Sequence, residues 1–420
     1  MSSTVAEHRR KVVQLLRRLS QAAPEQVPLA AAHQRVLAVD VTAPLSLPPF
    51  DNSQMDGYAV RSADLPATGA GTTVSLPVAA AIPAGAAPAP LEPGTAAPIM
   101  TGAMLPAGAD AVVPIEQAVP DSFFDDDGGR RVVELPTGVP AGQYVRAAGS
   151  DIPAGSPALS TGTLLLAPQL ALLAALGMGA VPVRRRPVVL LLATGDEVVL
   201  PGEDLPPGAI YDANTTMLRA CLEEAGAVVR NSRLLADDVE RFRTQLAEDL
   251  RGERIDLILT AGGISKGAYE VVRQGLQEHP VEFGSVALQP GGPQAVGTIS
   301  SVPFLGFPGN PVSSLVSFEM FLRPALTDVV GCPRPRSEVS AQLAEPLTSP
   351  VGKHQVRRGV YSRDGTVQLV GGAGSHLVHA LAAANALVHI PEGTSELGAG
   401  EQVQVSLLDA PVPSMTKGGP

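Results

Sequence analysis

Apolar runs alternate with amphipathic stretches through the middle of the chain. Strands are predicted at residues 188–193, 228–235, 255–260 and 304–307, and helices at 168–176, 215–225, 237–250, 269–277 and 312–330. Asp237 is a candidate N-cap for one of these helices, and Gly331 ends the last one. Because strands that alternate with helices form βαβ units, we predict a three-layer α/β domain with a parallel-rich sheet.

Short strands and loops dominate both flanks of that region. Thr4 and Glu7 form a capping-box pattern, which predicts a helix that extends to about residue 19. Residues 44–148 are β-like and rich in loops. Short strands follow at 355–361, 366–370, 386–390 and 402–408, and the turn Asp364-Gly365 joins the first two. We therefore predict β-rich N-terminal modules and a small C-terminal β-barrel domain.

These changes of pattern predict how the chain of 420 residues divides into domains. The predicted parts are an N-terminal helical and linker domain (1–47 and 146–182), an inserted β-rich domain (48–145), an α/β domain (183–331), a C-terminal β-barrel domain (332–410) and a tail (411–420). At about 150 residues for each domain, the length is sufficient for several such units.

Composition and charge limit the molecules that the protein can bind and the compartment in which it functions. The net charge of −11 argues against nucleic-acid binding. Two cysteines, Cys221 and Cys332, are too few for a disulfide scaffold or a cysteine zinc site, and they suit a reducing compartment. The apolar stretch 164–180 is short and contains Pro168, so no membrane span is expected. The sequence thus predicts a cytoplasmic protein.

Three polar loops follow predicted strands of the parallel sheet. They are Thr194-Gly195-Asp196-Glu197, Gly262-Gly263-Ile264-Ser265-Lys266-Gly267 and Pro308-Gly309-Asn310-Pro311. Ligands of open α/β sheets bind beyond the carboxyl ends of the strands. The glycines let backbone approach a phosphate closely, the last two loops lead into helices, and Lys266 adds a positive charge. We predict a phosphorylated ligand at this edge.

Carboxylates near the same strand ends indicate Mg²⁺, which prefers oxygen ligands. The candidates are Asp196, Glu197, Asp212, Asp237 and Glu270. Asp237 would serve equally as a helix N-cap, and Glu270 as a carboxylate in the first turn of a helix. Glu197 has no such structural role and is the preferred ligand. Neither a G-x-G-x-x-G nor a G-x-x-x-x-G-K-[ST] pattern accompanies these residues, so the common dinucleotide and P-loop sites are not supported.

A polar loop from Asp51 to Gly57 interrupts Pro-rich apolar sequence. An Asx-rich turn and a ligand-binding loop would both produce such a pattern. The string Asp51-Asn52-Ser53-Gln54-Met55-Asp56-Gly57-Tyr58-Ala59 resembles the DNSxMDGYA signature of the molybdopterin molybdenumtransferases (molybdenum insertases). That family includes the E domain of gephyrin.

Further matches extend this resemblance over about residues 5–408. The TGDE, GGIS and PGNP loops resemble a molybdopterin-binding domain that insertases share with molybdopterin adenylyltransferases. Ile99-Met100-Thr101-Gly102-Ala103, Gly149-Ser150-Asp151-Ile152, Arg358-Gly359 and Gly374-Ser375-His376 resemble motifs of the insertases alone.

The resemblance implies an enzyme that inserts molybdate into adenylylated molybdopterin and releases AMP with the help of Mg²⁺. It implies a homodimer, a cleft between domains and subunits, and an adenylyltransferase as a further partner. The implied catalytic residues are Asp56, Thr101, Asp151 and Glu197, the metal ligands Glu197, Asp237 and Glu270, and the oxyanion-binding residues Ser265, Arg358 and Ser375.

Two departures from the family pattern leave alternatives open. The family commonly has K/Q-P-G-K-P where this chain has neutral Gln289 and Gly292, and often Asp where it has Glu270. Loss of positive charge is expected to weaken oxyanion binding. The alternatives are a diverged pterin-binding or scaffold paralogue and a molybdopterin adenylyltransferase. The additional flanking domains count against the second alternative.

Overall fold

A computed structural model describes residues 2–67, 69, 71–123, 131–231, 238–252, 254–264, 271–332 and 334–408. The chain divides into two compact units. The larger unit contains Met1–Gln26, Gln34–Ala38 and Pro182–Pro420, and the smaller contains Val27–His33 and Val39–Val181. The finer division into domains stays a prediction.

The described helices and strands have the following bounds. The α-helices are Val5–Leu16, Ala167–Ala175, Asn214–Glu224, Val239–Arg251, Val271–Gly275, Pro311–Ser317, Arg323–Val330 and Val378–Ala382, with a π-helical turn at Phe318–Leu322 and 3-10 helices at Arg17–Gln21, Leu29–Ala31, Ser62–Asp64 and Ile115–Gln117. The strands of the smaller unit and its borders are Glu25–Pro28, Val41–Thr42, Asn52–Ser53, Gly57–Val60, Thr73–Pro77, Ala97–Ile99, Ala111–Pro114, Val132–Pro136, Val145–Arg146, Pro157–Leu159 and Ala180–Val183. Those of the larger unit are Val188–Ala193, Val198–Val199, Ile210–Tyr211, Val228–Asn231, Leu257–Ala261, Val281–Ser285, Leu288–Gln289, Pro293–Ile299, Val302–Phe307, Glu338–Leu343, Leu347–Thr348, His354–Tyr361, Thr366–Leu369, Ala386–Ile390, Glu396–Leu397 and Gln402–Leu407.

A six-stranded sheet forms the centre of the larger unit. Its order is Val228–Asn231, Val188–Ala193, Leu257–Ala261, Val302–Phe307, Pro293–Ile299 and Val281–Ser285. The first four strands are parallel, and the last two are added antiparallel. The predicted parallel-rich α/β fold is confirmed, and the antiparallel pair is an addition that the sequence did not predict.

Helices cover both faces of this sheet. Leu191 and Leu259 belong to one apolar cluster, which includes Phe318 and Phe321 of the helical segment after Asn310. Leu190 and Ile258 point to the other face, where they join Phe242 in a second cluster. Because successive side chains of a strand alternate in direction, a strand covered on both faces is apolar throughout.

The N-termini of two helices can be compared with the capping residues predicted from the sequence. Thr4 and Glu7 form the complete capping box, with Glu7 N donating to Thr4 Oγ1 at 3.2 Å and Thr4 N to a Glu7 carboxylate oxygen at 2.8 Å. The N-cap of Val239–Arg251 is Asp238, whose carboxylate accepts from Arg241 N at 2.8 Å. The prediction of Asp237 as this cap was wrong by one residue, and Asp237 itself lies outside the described residues.

The C-terminal part of the larger unit is a closed ring of five strands. His354–Tyr361 pairs with Thr366–Leu369 as the predicted hairpin, and the ring continues through Glu338–Leu343, Gln402–Leu407 and Ala386–Ile390 back to His354–Tyr361. Alternate side chains such as Val367, Val388 and Val405 fill its interior. The predicted small C-terminal β-barrel is confirmed. Within the described residues, no helix has both the length and the apolar character that a membrane crossing requires.

The smaller unit is β-rich, as predicted. Gly57–Val60, the end of the signature loop, lies between Ala97–Ile99 and Ala111–Pro114 and is fully buried. A Cβ at Gly57 would lie 2.0 Å from Val113 O, so only glycine allows this close pairing.

Candidate functional site

A cavity of about 1220 Å³ lies at the carboxyl edge of the parallel strands in the larger unit. The three polar loops predicted from the sequence contribute Thr194, Gly195, Glu197, Gly262, Gly263, Pro308, Gly309, Asn310 and Pro311 to its lining. Residues 289–293 and 373–376 complete much of the wall. The structure thus places around one cavity the predicted phosphate-binding loop residues that it describes.

The two glycine loops lie directly against each other. Gly262 has φ +96°, and a Cβ on Gly309 would lie 3.4 Å from Gly262 Cα. Asn214 Nδ2 donates to Gly309 O at 2.6 Å, and Ser314 Oγ donates to Pro308 O at 2.5 Å. These bonds fix the loop backbone at the cavity wall, where small residues leave room for a ligand phosphate.

A long helical segment begins at the cavity. Asn310 precedes Pro311–Ser317, which continues through Phe318–Leu322 and Arg323–Val330 and ends at Gly331 with φ +82°. The positive end of the helix dipole favours an anion at such a start. One backbone N–H of the first turn is already used, because Val312 N donates to Ser375 O at 3.2 Å.

Arg358 supports the loop that carries Ser375. Arg358 is only 2% exposed and is not among the residues that line the cavity. Its guanidinium donates to Gly374 O at 3.2 Å and also to Gly372 O. Ser375 does line the cavity. In this structure Arg358 therefore positions the Ser375 loop from behind, which differs from the direct oxyanion contact that the family resemblance implied.

The acidic side of the cavity contains Glu197 and Asp212. Glu197 folds back over its own loop, because a Cβ on Gly195 would lie 2.8 Å from a Glu197 carboxylate oxygen. Asp212 is 5% exposed, and its Oδ1 accepts from Thr215 N at 2.9 Å. Among the described residues, no group of three or more His, Cys, Asp or Glu side chains could hold a metal ion.

Four predicted site residues lie outside the described part of the chain. They are Ser265, Lys266, Asp237 and Glu270. Of the implied metal ligands Glu197, Asp237 and Glu270, the structure therefore describes Glu197 alone, and Asp212, a further predicted candidate, lines the same cavity.

Lys353 is a cavity residue that no sequence pattern indicated. It is the one lysine or arginine among the described residues that line the cavity. It immediately precedes the strand His354–Tyr361, whose start pairs in parallel with Leu288–Gln289. No local pattern announces that pairing, because the two segments are far apart in the sequence. Lys353 places a positive charge in the same wall as neutral Gln289 and Gly292.

The smaller unit joins two further predicted residues. Asp56 Oδ1 accepts from Thr101 N at 2.6 Å and from Thr101 Oγ1 at 2.7 Å. These two bonds, the backbone one most, lower the pKa of the Asp56 carboxyl. Both residues are exposed. The DNSxMDGYA and IMTGA motifs, which are separated in the sequence, thus form one hydrogen-bonded pair with an ionised carboxylate.

Asp151 belongs to a segment that runs beside the signature loop. Asn52–Ser53 pairs antiparallel with Val145–Arg146, and Ala148 N donates to Asp51 Oδ1 at 2.7 Å. Asp151 N donates to Leu47 O at 3.0 Å, and the Asp151 side chain is exposed. The GSDI motif is therefore held next to the segment that precedes the signature loop.

Three family descriptions together match most of the chain. Residues 3–177 match "MoeA N-terminal region (domain I and II)", residues 190–328 match "Probable molybdopterin binding domain", and residues 340–408 match "MoeA C-terminal region (domain IV)". The order of these three regions follows the pattern changes along the sequence.

Full-length relatives show the same similarity. Molybdopterin molybdenumtransferase 2 of Mycobacterium tuberculosis is 45% identical over 412 residues, which are 96% of this chain and 98% of that protein. The molybdopterin molybdenumtransferase of Haemophilus influenzae is 35% identical, over 91% of this chain and 93% of that protein. A crystal structure of a molybdopterin biosynthesis MoeA protein from Pyrococcus horikoshii superimposes with a TM-score of 0.83 at 30% identity and covers 98% of this chain and 100% of that one. The chain therefore belongs to the family of molybdopterin molybdenumtransferases, as its motifs predicted.

Proposed function

We propose that this chain inserts molybdenum from molybdate into adenylylated molybdopterin and releases AMP. The observation that carries the proposal is the cavity at the carboxyl edge of the sheet, where two apposed glycine loops leave room for a ligand and a helical segment begins with the positive end of its dipole. Membership of the molybdenumtransferase family supports molybdopterin and molybdate as the substrate class.

The phosphate groups of the pterin substrate fit the glycine-rich side of this cavity. Gly262, Gly263 and Gly309 leave the backbone accessible there. Molybdate fits beside Lys353, Gln289 and Ser375, which line the same cavity. A lysine ammonium and neutral donors both hydrogen-bond a tetrahedral oxyanion.

We also propose that Mg²⁺ binds in the cavity, and the carboxylates that line the cavity can be compared with what this ion requires. Mg²⁺ keeps several water ligands and takes one or two carboxylates together with substrate phosphates. Glu197 is exposed at the cavity, whereas Asp212 already accepts a backbone hydrogen bond. Glu197 would thus hold the ion, with Asp237 and Glu270 as the further proposed ligands. Bound there, the ion would neutralise the charge of the pyrophosphate.

The smaller unit supplies the other proposed catalytic residues. Thr101 stabilises the ionised form of the Asp56 carboxylate by donating two hydrogen bonds to it. An ionised carboxylate accepts hydrogen bonds or a proton from a polar ligand. Asp151 offers a second exposed carboxylate in the segment beside the signature loop. The homodimer and the adenylyltransferase partner are proposed from the family resemblance.

A pterin-binding or scaffold role is the competing function, and the neutral residues Gln289 and Gly292 favour it. Complementation separates the two roles. The gene should restore molybdoenzyme activity to a strain that lacks its insertase, at limiting molybdate. Pterin binding without molybdenum loading at any molybdate concentration would instead establish the scaffold role.

A further inference from the structure

Gln289 and Gln355 form an amide pair beside the cavity. Leu288–Gln289 runs parallel to the start of His354–Tyr361, with Gln289 opposite Gln355. Gln355 is 2% exposed, and its Nε2 donates to Gln289 Oε1 at 2.8 Å. Gln289 is half-buried and lines the cavity, whereas Gln355 does not.

This bond determines which end of the Gln289 amide is available to a ligand. The bond to Gln355 occupies Gln289 Oε1, and no described residue accepts from Gln289 Nε2. A side-chain amide carries two N–H donors on that nitrogen. An oxyanion is bound by N–H groups and repelled by a carbonyl oxygen, so the present orientation suits an anionic ligand.

The surroundings of Gln355 favour this orientation over its reverse. Gln355 Oε1 is buried without a hydrogen-bond partner among the described residues. If both amides were turned over, a buried N–H group of Gln355 would lack an acceptor instead. Orphaned buried N–H groups are rarer in proteins than under-satisfied carbonyl oxygens, and leaving one costs a desolvation penalty.

A second glutamine holds the other end of the same loop. Gln294 is 2% exposed, and its Nε2 donates to Gly291 O at 2.8 Å and to Ser317 Oγ at 2.7 Å. Gly291 has φ +109°, which glycine adopts without strain. The loop backbone is thus anchored to the helical segment, and the Gln289 side chain is the part left to be oriented.

We propose that Gln355 is a positioning residue that turns the Gln289 amide so that its N–H groups bind molybdate oxygens. This inference rests on the proposed function. It assigns oxyanion binding to a neutral amide pair in a loop where the family commonly has a lysine at the position of Gly292. Gln355 acts only through Gln289, so without the Gln289 side chain the Gln355 side chain should have no effect on molybdate binding.

A double-mutant cycle tests this dependence. Molybdate affinity of the full chain is measured by calorimetry, and KM for molybdate and kcat are measured separately, for Gln289→Met, Gln355→Met and the double variant. A hydrogen bond to a charged group contributes enough for each single change to weaken molybdate binding about tenfold. The double variant should bind no more weakly than Gln289→Met alone. The matched control Gln402→Met removes a 2.8 Å bond to Ser340 outside the cavity and should leave molybdate affinity unchanged.

A different substitution of half-buried Gln289 keeps the test informative if Gln355→Met, which changes a buried residue, does not fold. Gln289→Glu retains an acceptor for Gln355 and presents a second carboxylate oxygen to the ligand, so it should bind molybdate more weakly than Gln289→Met. The inference would be overturned if Gln355→Met bound molybdate with wild-type affinity. It would also be overturned if the losses of affinity of the two single variants multiplied in the double variant, or if Gln289→Glu and Gln289→Met bound molybdate equally. Absence of molybdenum transfer by the wild type would overturn the proposed function, which is a different result.

Discussion

Asp56 accepts both the backbone N–H and the hydroxyl of Thr101, at 2.6 and 2.7 Å, so one residue supplies two donors to one carboxylate oxygen. Both bonds favour the ionised form and lower the pKa of the Asp56 carboxyl. Two motifs that the sequence shows only as separate strings therefore act as a single structural feature.

Replacing Thr101 by valine should raise the pKa of Asp56, because the hydroxyl donor is lost while the backbone donor stays. If ionised Asp56 takes part in the reaction, the acid limb of the profile of kcat/KM against pH should move to higher pH. Thr101→Ser retains the hydroxyl and should leave the limb in place. Coincident acid limbs for all three proteins would show that Asp56 ionisation does not control the rate.

Restoring a lysine in the neutral loop should strengthen oxyanion binding. Gly292 does not need positive φ, and a Cβ there would meet Val286 O at 3.5 Å, an ordinary contact. Gly292→Lys should therefore fold and bind molybdate about tenfold more tightly, with a steeper salt dependence than the wild type. Unchanged affinity in calorimetry would mean that this loop does not contact the anion. Gly292→Gln serves as the uncharged control.

Substitution of Gly263 should damage the cavity wall through sterics as well as backbone strain. Gly263 has φ +66°, and a Cβ would lie 2.7 Å from Val272 Cγ2 and 2.8 Å from Thr194 Oγ1. Gly365 has φ +84° with open space around it. Gly365→Ala should cost about 1 kcal/mol of unfolding free energy from backbone strain. Gly263→Ala should cost about 1–3 kcal/mol more, because it also overpacks the site. Equal costs in denaturant unfolding would contradict the close packing of this loop.

Stability should fall in mild acid because of His8. His8 is 4% exposed and packs edge-on against Phe321, with ring centroids 4.6 Å apart. Burial most, and then Lys11, lowers the pKa of His8 from 6.5 to about 4. Between these values the unfolded chain binds a proton that the folded protein does not, so the unfolding free energy decreases as pH falls.

His8→Phe keeps the ring contact and removes this proton. The wild-type curve of unfolding free energy against pH should be steeper than that of His8→Phe by up to about 1.4 kcal/mol per pH unit within that window. The exposed-site variant His33→Gln should follow the wild type. Parallel curves for the wild type and His8→Phe would refute a neutral buried His8.

Much of the fold follows from the sequence because the central strands are buried on both faces. Continuous apolar runs such as Val188–Ala193 therefore coincide with the observed strands. The antiparallel strands Pro293–Ile299 and Val281–Ser285 were missed. The turn before Val302 uses Ser300 and Ser301 at positive φ, where the usual turn residues Gly and Asn would have given a signal.

Site residues in the loops at strand ends could be predicted from the sequence. Site residues that are brought to the cavity by pairing between distant strands could not. Lys353 and Gln355 lie near the cavity because the strand His354–Tyr361, which Lys353 precedes, pairs with Leu288–Gln289 far away in the sequence, and such a pairing leaves no local pattern. Arg358 was expected to face the ligand, but a barrel strand directs it to loop carbonyls. Whether Asp237 or Asp238 caps a helix depends on backbone geometry that adjacent aspartates do not reveal.

The most direct measurement is a single-turnover reaction of purified protein with adenylylated molybdopterin, molybdate and Mg²⁺. AMP released and molybdenum bound to the pterin are counted per chain, for the wild type, Lys353→Met and the exposed control Arg363→Met. Our account predicts equal amounts of AMP and pterin-bound molybdenum, and a higher molybdate requirement for Lys353→Met alone. AMP release without molybdenum transfer, or no reaction of the wild type at any molybdate concentration, would contradict it.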